Sequence, residues 1–130
     1  MIVVDASVVL EALFRRPKAE AVRERLLSGR ETLHTPHLLE IEVAHVIRRY
    51  AMIGDLDGER GRSALAILAD LPLRRYRHDF LLQRVWELRN NFTAYDAVYV
   101  ALAEALDVPL LTRDQRLASA ARAHVSVEVV

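Results

Sequence analysis

The chain opens on a short apolar run that halts at a carboxylate. Met1 to Val4 carries isoleucine and valine without polar alternation, which is typical of a strand buried on both faces of a parallel sheet. The residues from Ser7 to Phe14 have a helical pattern, so Asp5 stands between a buried strand and a helix. Ligands bind to open parallel sheets at the edge where strands end and helices begin. The opening of the chain therefore predicts a central strand with a functional carboxylate at its end.

The remainder of the chain alternates between helical and strand patterns. Helices are predicted at residues 17–28, 36–53, 57–71, 80–88 and 94–106, with a short helix from Asp114. Further strands are predicted at residues 32–35, 73–76, 109–112 and 125–130. Such alternation favours a layered α/β fold, because each crossover helix returns the chain to the edge where its strand began. We expect a three-layer α/β/α fold around a mostly parallel five-stranded sheet, as one domain over residues 1–130.

The composition excludes several classes of protein. Lysine plus arginine and aspartate plus glutamate both number 18, so the zero net charge gives no argument for nucleic-acid binding. Because cysteine is absent, disulfides and cysteine-based zinc sites are excluded. No stretch approaches the roughly 18 apolar residues of a membrane span. Asp5 interrupts the first apolar run, which argues against a signal peptide, and we expect a cytoplasmic protein.

Four carboxylates are predicted to lie on one edge of the sheet. In right-handed strand–helix–strand units, every helix N-terminus lies at the carboxyl edge of the strands. Asp5 follows the first strand, and Asp114 follows the strand that ends at Thr112. Glu42 lies early in the helix after the second strand, and Asp96 lies in the first turn of a later helix. The sequence thus predicts an acidic cluster assembled from distant parts of the chain.

Two of these carboxylates interrupt apolar helix stripes. Glu42 shares its stripe with Leu39 and Val46, and Asp96 shares its stripe with Tyr99. A charge in such a stripe is costly to bury unless it is paired or binds a metal. Carboxylates about 4 Å apart repel by roughly 4 kcal/mol at an effective dielectric near 20, so four of them require a cation. Hard oxygen ligands favour Mg²⁺ or Mn²⁺, which can lower the pKa of a bound water and stabilise a phosphate oxygen.

Each carboxylate also has a purely structural interpretation. Asp5 and Asp114 could cap the helices that follow them. Asp96 has the spacing of a capping box at the start of its helix. Glu42 could pair with Arg49 on the same helix or extend into solvent. The functional interpretation therefore depends on all four carboxylates meeting at one edge, and on no single residue.

Several segments together resemble a known family. They are Val3–Ser7, Glu42–Ala44, Tyr95–Ala103 and Leu110–Leu117. In residues, order and spacing they are similar to the PIN domain, and more narrowly to the VapC toxins of bacterial VapBC toxin–antitoxin pairs. The Tyr-Asp-Ala helix and the Leu-Thr-x-Asp segment are the most specific parts. The resemblance covers essentially the whole chain.

The resemblance implies a Mg²⁺-dependent endoribonuclease, with Mn²⁺ able to substitute. The residues that match the metal-binding, water-activating acids of the family are Asp5, Glu42, Asp96 and Asp114. Thr112 and Ser7 match the polar positions beside them. The family further implies a homodimer that assembles with a VapB-type antitoxin, which covers the active site.

RNA contacts must be local in a chain of zero net charge. We predict that Arg15, Arg16 and Arg113 contact phosphates, which would give a salt-sensitive affinity and little choice of sequence.

Two other functions compete with the nuclease. A signalling receiver that accepts a phosphoryl group fits the size and fold class. Receivers resemble one another, however, in having paired acidic residues after the first strand and a lysine near the end of the domain. Here Asp5 has no acidic neighbour, and Lys18 is the single lysine. A non-catalytic PIN-like module that binds RNA or protein also fits the fold, but it has no need of four mutually repelling carboxylates.

Overall fold

The computed structural model describes residues 1–14 and 16–130. Within them, five strands form one sheet: β1 (Ile2–Val4), β2 (Leu33–Pro36), β3 (Leu73–Tyr76), β4 (Leu110–Thr112) and β5 (Val127–Val129). The spatial order is β3-β2-β1-β4-β5, and every neighbouring pair is parallel. The chain moves outward from β1 to β3 and then returns to the other side of β1. The strand order therefore reverses between β1 and β4, and this is the point where parallel sheets bind ligands.

Helices cover both faces of the sheet. They are α1 (Ala6–Leu13), α2 (Ala19–Leu27), α3 (Leu38–Met52), α4 (Gly58–Asp70), α5 (Leu82–Glu87), α6 (Ala94–Leu106) and α7 (Gln115–Ala121). Helix α1 packs against α2, α3 and α4, whereas α6 packs against α5 and against the central strands. This arrangement confirms the predicted three-layer fold. In the described ranges, no helix is both long and apolar enough to cross a lipid bilayer.

The core is centred on β1, β4 and α6. The three residues of β1 are fully buried, and so are those of β4. In α6, every residue from Ala97 to Ala103 is buried, because this helix lies against the central strands. Burying one large aliphatic side chain stabilises a fold by about 1.5–3 kcal/mol. The strand ends that hold the carboxylates therefore belong to the most tightly packed part of the molecule.

Several of the predicted boundaries differ from those of the structure, including the last strand, which was predicted at residues 125–130 and is Val127–Val129. Pro36 does not open a helix but ends β2, where the N–H of His37 supplies the bond to the Tyr76 carbonyl at 2.8 Å. Helix α2 begins two residues later than predicted, because the Lys18 N–H is donated to the side chain of Glu11 at 2.9 Å.

The predicted helix at residues 80–88 is divided. A 3₁₀ turn at Asp79–Leu81 precedes α5, with an N–H to carbonyl bond of 2.8 Å from Leu81 to His78. This tighter turn uses three-residue spacing and so shifts the apolar stripe that the sequence pattern had assigned to one helix.

Candidate active site at the carboxyl edge of the sheet

Asp5 lies at the end of β1 and is 4% exposed. Its Oδ1 accepts hydrogen bonds from the Ser7 hydroxyl at 2.6 Å and the Val8 N–H at 3.2 Å. Its Oδ2 accepts one from the Thr112 hydroxyl at 2.5 Å. Asp5 therefore caps α1, as its structural interpretation predicted, and both predicted supporting residues contact it. A carboxylate offers about four acceptor positions, so these bonds leave capacity at Oδ2.

Burial raises the pKa of Asp5 above its ordinary value. The bonds from Ser7, Thr112 and Val8 oppose this increase, and the negative charge of Asp114 adds to it. Three donors therefore do not fully compensate the burial of this carboxylate. A nearby cation would remove the remaining penalty, which is the electrostatic signature expected of a ligand site.

Asp114 lies beyond the end of β4 and caps α7. Its Oδ1 accepts hydrogen bonds from the N–H groups of Arg116 at 2.8 Å and Leu117 at 3.1 Å. Its own N–H is donated to the Thr112 hydroxyl at 2.9 Å. Since that hydroxyl also donates to Asp5, Thr112 joins the two strand ends. In the described part of the chain, no hydrogen bond reaches Oδ2 of Asp114.

Asp96 lies in the first turn of α6. Its N–H is donated to the Thr93 hydroxyl at 3.2 Å, so the predicted cap is present. Its carboxylate faces Arg116, with 3.8 Å between Oδ2 and Nη2. Burial raises the pKa of Asp96; the positive charge of Arg116 opposes this increase, and the negative charge of Asp114 adds to it.

Glu42 lies in the second turn of α3, and its Oε2 accepts a hydrogen bond from the phenol of Tyr99. The alternative pairing with Arg49 does not form, because the carboxylate faces Tyr99 on α6. Burial raises the pKa of Glu42, the Tyr99 bond opposes this, and the charges of Asp5 and Asp96 raise it further. No hydrogen bond from the described residues reaches the second oxygen, Oε1.

The four carboxylates thus meet at one edge, where burial raises the pKa values of Asp5, Glu42 and Asp96 and the charges of neighbouring members add to the increase. Even so, within residues 1–14 and 16–130 no group of three or more acidic or histidine side chains is arranged closely enough to hold a metal ion. The oxygens that accept hydrogen bonds do so from backbone N–H groups at helix starts or from hydroxyl and phenol groups. The chemistry of the set nevertheless fits a hard cation, since Oδ2 of Asp114 and Oε1 of Glu42 receive no described donor.

The predicted RNA contact at Arg113 is engaged inside the protein. Its Nε lies 3.2 Å from Oε2 of Glu11, whose side chain is 1% exposed. Its Nη1 donates to the carbonyl of Val130 at 3.0 Å, and its backbone N–H donates to the Ser7 hydroxyl at 2.9 Å. The guanidinium therefore neutralises a buried carboxylate at the back of the site.

The other two predicted contacts are Arg16 and Arg15. Arg16 donates a hydrogen bond to the phenol of Tyr50, on α3. Arg15 lies outside the described residues, so its predicted contact remains a sequence-based expectation.

Three residues of the site were missed by sequence reasoning. Tyr99 lies three residues after Asp96, in the same stripe, and that position was noted only as apolar. Arg116 follows Asp114 by two residues, but nothing in the local pattern indicates which carboxylate it faces. Glu11 was detectable, because it is a lone charge within the otherwise apolar helix α1.

A groove of about 510 Å³ opens beside Glu42. Its walls include Leu38, Val46 and two exposed apolar side chains, Ile41 at 70% and Tyr95 at 63%. The acidic site is therefore flanked by an apolar surface.

The chain is similar in sequence to known proteins. The sequence model of the PIN domain family matches residues 2–123. Ribonuclease VapC9 of Mycobacterium tuberculosis is 45% identical over 130 residues, which cover 100% of this chain and 98% of that protein. Ribonuclease VapC1 of the same organism is 47% identical over 119 residues, covering 91% of this chain and 89% of that protein.

A solved structure shows the same fold. VapBC2 from Rickettsia felis, bound to a DNA fragment from its promoter, has a chain that superimposes with a TM-score of 0.69 at 15% sequence identity. The superposition covers 99% of this chain and 98% of that one.

Proposed function

The chain belongs to the PIN domain family, in which it groups with the VapC ribonucleases, and on this premise we propose that it is a metal-dependent endoribonuclease toxin of a VapBC-type module. The observation that carries the proposal is the set of four carboxylates at the switch point of the sheet, with the pKa of three of them raised. In this proposal residues 1–130 form one PIN domain that hydrolyses RNA phosphodiester bonds.

The proposed metal ligands are the acidic residues that the sequence indicated: Asp5, Glu42, Asp96 and Asp114. They suit Mg²⁺, with Mn²⁺ as a substitute, because all their donors are hard oxygens. A divalent cation bound there would supply a water of lowered pKa and would stabilise the charge that develops on the phosphate.

The chain's own groups orient this acidic set. Ser7 and Thr112 fix the Asp5 carboxylate by hydrogen bonds of 2.6 and 2.5 Å. The phenol of Tyr99 fixes one oxygen of Glu42 and leaves the other unbonded. Because these partners lie on elements of the core, the carboxylates are held in place before substrate binds.

The proposed partners are RNA, a VapB-type antitoxin and a second copy of the chain, with further assembly through the antitoxin. The antitoxin is supported by the fold shared with VapBC2 of Rickettsia felis. The apolar groove with Ile41 and Tyr95 beside Glu42 supports a protein partner close to the acidic site. We place the protein in the cytoplasm, where its RNA substrate is found.

The test is cleavage of total bacterial RNA by antitoxin-free protein, in Mg²⁺ or Mn²⁺, beside a chelator control and Asp114→Asn. Asparagine caps helices as well as aspartate does, so this variant keeps α7 while removing a charge. We expect discrete fragments with either cation and none in both controls, and sequencing the fragment ends would identify the target.

Cleavage that persists in the chelator or in Asp114→Asn would contradict the proposal. Folded protein that binds RNA but never cleaves it would instead favour the non-catalytic binding module.

A further inference from the structure

We infer that Arg116 binds a phosphate of the RNA substrate beside the acidic set; this inference rests on the proposed ribonuclease function. The residue lies in the first turn of α7, two positions after Asp114. Its N–H is donated to the Asp114 carboxylate at 2.8 Å, whereas its side chain is 82% exposed. The backbone of Arg116 is therefore fixed at the site while its guanidinium projects into solvent.

The acidic set creates a need for a local positive charge. A phosphate that approaches four carboxylates is repelled, and the chain has no excess of basic residues to offset this. Among the described residues, Arg116 is the basic side chain that lies within 4 Å of any of the four, at 3.8 Å from Asp96. It thus places an exposed positive charge beside the carboxylates that a substrate phosphate would approach.

The ion pair with Asp96 is weak enough to be exchanged. Its distance of 3.8 Å exceeds the roughly 2.7–2.9 Å of a charge-assisted hydrogen bond. The guanidinium is exposed to solvent, which screens its attraction to Asp96 and keeps the contribution of the pair to stability small. A guanidinium also matches the geometry of a phosphate with two parallel donors. Arg116 can therefore turn from Asp96 to a phosphate without loss of folded structure.

Arg113, although closer in sequence to the strand end, is not available in the same way. Its guanidinium neutralises Glu11, and removing it would leave a buried carboxylate without a compensating positive charge. The structure therefore separates the two arginines, one committed to the interior and one to the surface of the site.

The experiment measures RNA binding without catalysis. Fluorescence anisotropy of a fluorescein-labelled oligouridylate is recorded in chelator over a series of salt concentrations. The matched control is Arg62→Ala, since Arg62 is 80% exposed and lies 3.6 Å from Glu59 within α4. We expect Arg116→Ala to weaken binding roughly tenfold at low salt and to reduce the slope of log affinity against log salt by about 0.7.

Two further variants and readouts complete the test. Arg116→Lys should keep the salt slope and lose part of the affinity, because a lysine keeps the charge but not the fork. In the cleavage assay, Arg116→Ala should raise KM more than it lowers kcat. Its midpoint of thermal unfolding should equal that of Arg62→Ala. The inference is overturned if Arg116→Ala matches Arg62→Ala in affinity and slope, or if the unsubstituted protein shows no salt-dependent binding. Absence of cleavage would contradict the nuclease proposal. The binding comparison between Arg116→Ala and Arg62→Ala does not depend on cleavage and would still decide the role of Arg116.

Discussion

The two ends of α6 carry carboxylates in opposite electrostatic states. Near the C-terminal end, Glu104 receives two hydrogen bonds from Arg84, at 2.7 and 2.9 Å, and His124 lies 3.6 Å away. The bonds from Arg84 hold the pKa of Glu104 below its ordinary value. At the N-terminal end, burial raises the pKa of Asp96, and its basic neighbour Arg116 is 3.8 Å away.

This difference shows what each charge contributes. Glu104 and Arg84 join α6 to α5 through a fork of two parallel bonds, so their charges stabilise the fold. Asp96 is left largely uncompensated among other carboxylates, so its charge opposes folding and remains available to a ligand. One helix thus carries a charge that stabilises the fold near one end and a charge that opposes folding near the other.

The contrast between Asp96 and Glu104 is tested most directly by neutralising each carboxylate in turn. We expect Asp96→Asn to lower kcat/KM for RNA on the order of a thousandfold, about 4 kcal/mol of transition-state stabilisation. Glu104→Gln should leave kcat/KM unchanged and lower the free energy of unfolding by about 1 kcal/mol, because one bidentate surface pair is weakened. Cleavage kinetics and urea unfolding of both variants give the answer. Equal losses of activity in the two variants would remove the distinction.

A second prediction concerns Tyr99, the neutral hydrogen-bond donor on α6. Tyr99→Phe removes the hydroxyl that donates to Glu42 but keeps the buried aromatic ring. We expect Mn²⁺ affinity to fall about tenfold, since partners that orient metal ligands contribute at this scale. Titration calorimetry measures the affinity, and thermal unfolding shows whether packing is retained. Unchanged Mn²⁺ affinity in a stable variant would show that Tyr99 is only a packing residue.

The smallest expected effect is a difference in how stability responds to pH. The pKa of Glu42 is raised by burial, so the folded protein binds this proton more tightly than the unfolded chain. Stability therefore falls as pH rises through the interval between the ordinary and the raised pKa. Glu42→Gln should increase stability at neutral pH, on the order of 1 kcal/mol or less, and should have no such effect below the ordinary glutamate pKa.

Glu104→Gln is the control, because its effect on stability at neutral pH is expected to have the opposite sign. The pKa of Glu104 is lowered, so its charge stabilises the fold above the ordinary glutamate pKa, and this contribution disappears as pH falls through the lowered value. Urea unfolding in chelator, at neutral and at acid pH, compares the two variants. Destabilisation of Glu42→Gln at neutral pH would contradict the expected sign.

Short-range patterns predicted the fold and the placement of the acids. The apolar run before Asp5 and the Leu-Leu-Thr run before Asp114 each marked a buried parallel strand, and strand direction alone brought both residues to one edge. The positions of Glu42 and Asp96 followed from helices that start at that edge. These inferences succeeded because each depended on periodicity within a few residues and on the handedness of crossovers.

Contacts between distant side chains were beyond the sequence. The bond from Tyr99 to Glu42 spans 57 positions, and no local pattern distinguishes it from the alternative pairing with Arg49. The ion pair of Arg113 with Glu11, which lies in α1, likewise joins residues that no local pattern relates. Similarly, Pro36 fits either a helix start or a strand end, and only the pairing with β3 decides between them.

The hydrogen bond from Thr112 to Asp5 joins residues 107 positions apart, between neighbouring central strands. Translation proceeds from the N-terminus, so Asp5 is synthesised 107 positions before the hydroxyl that fixes it. A polypeptide that stops short of Thr112 consequently carries the first acidic residue without this partner. The four carboxylates can meet only after Asp114, the last of them in the sequence, has been synthesised.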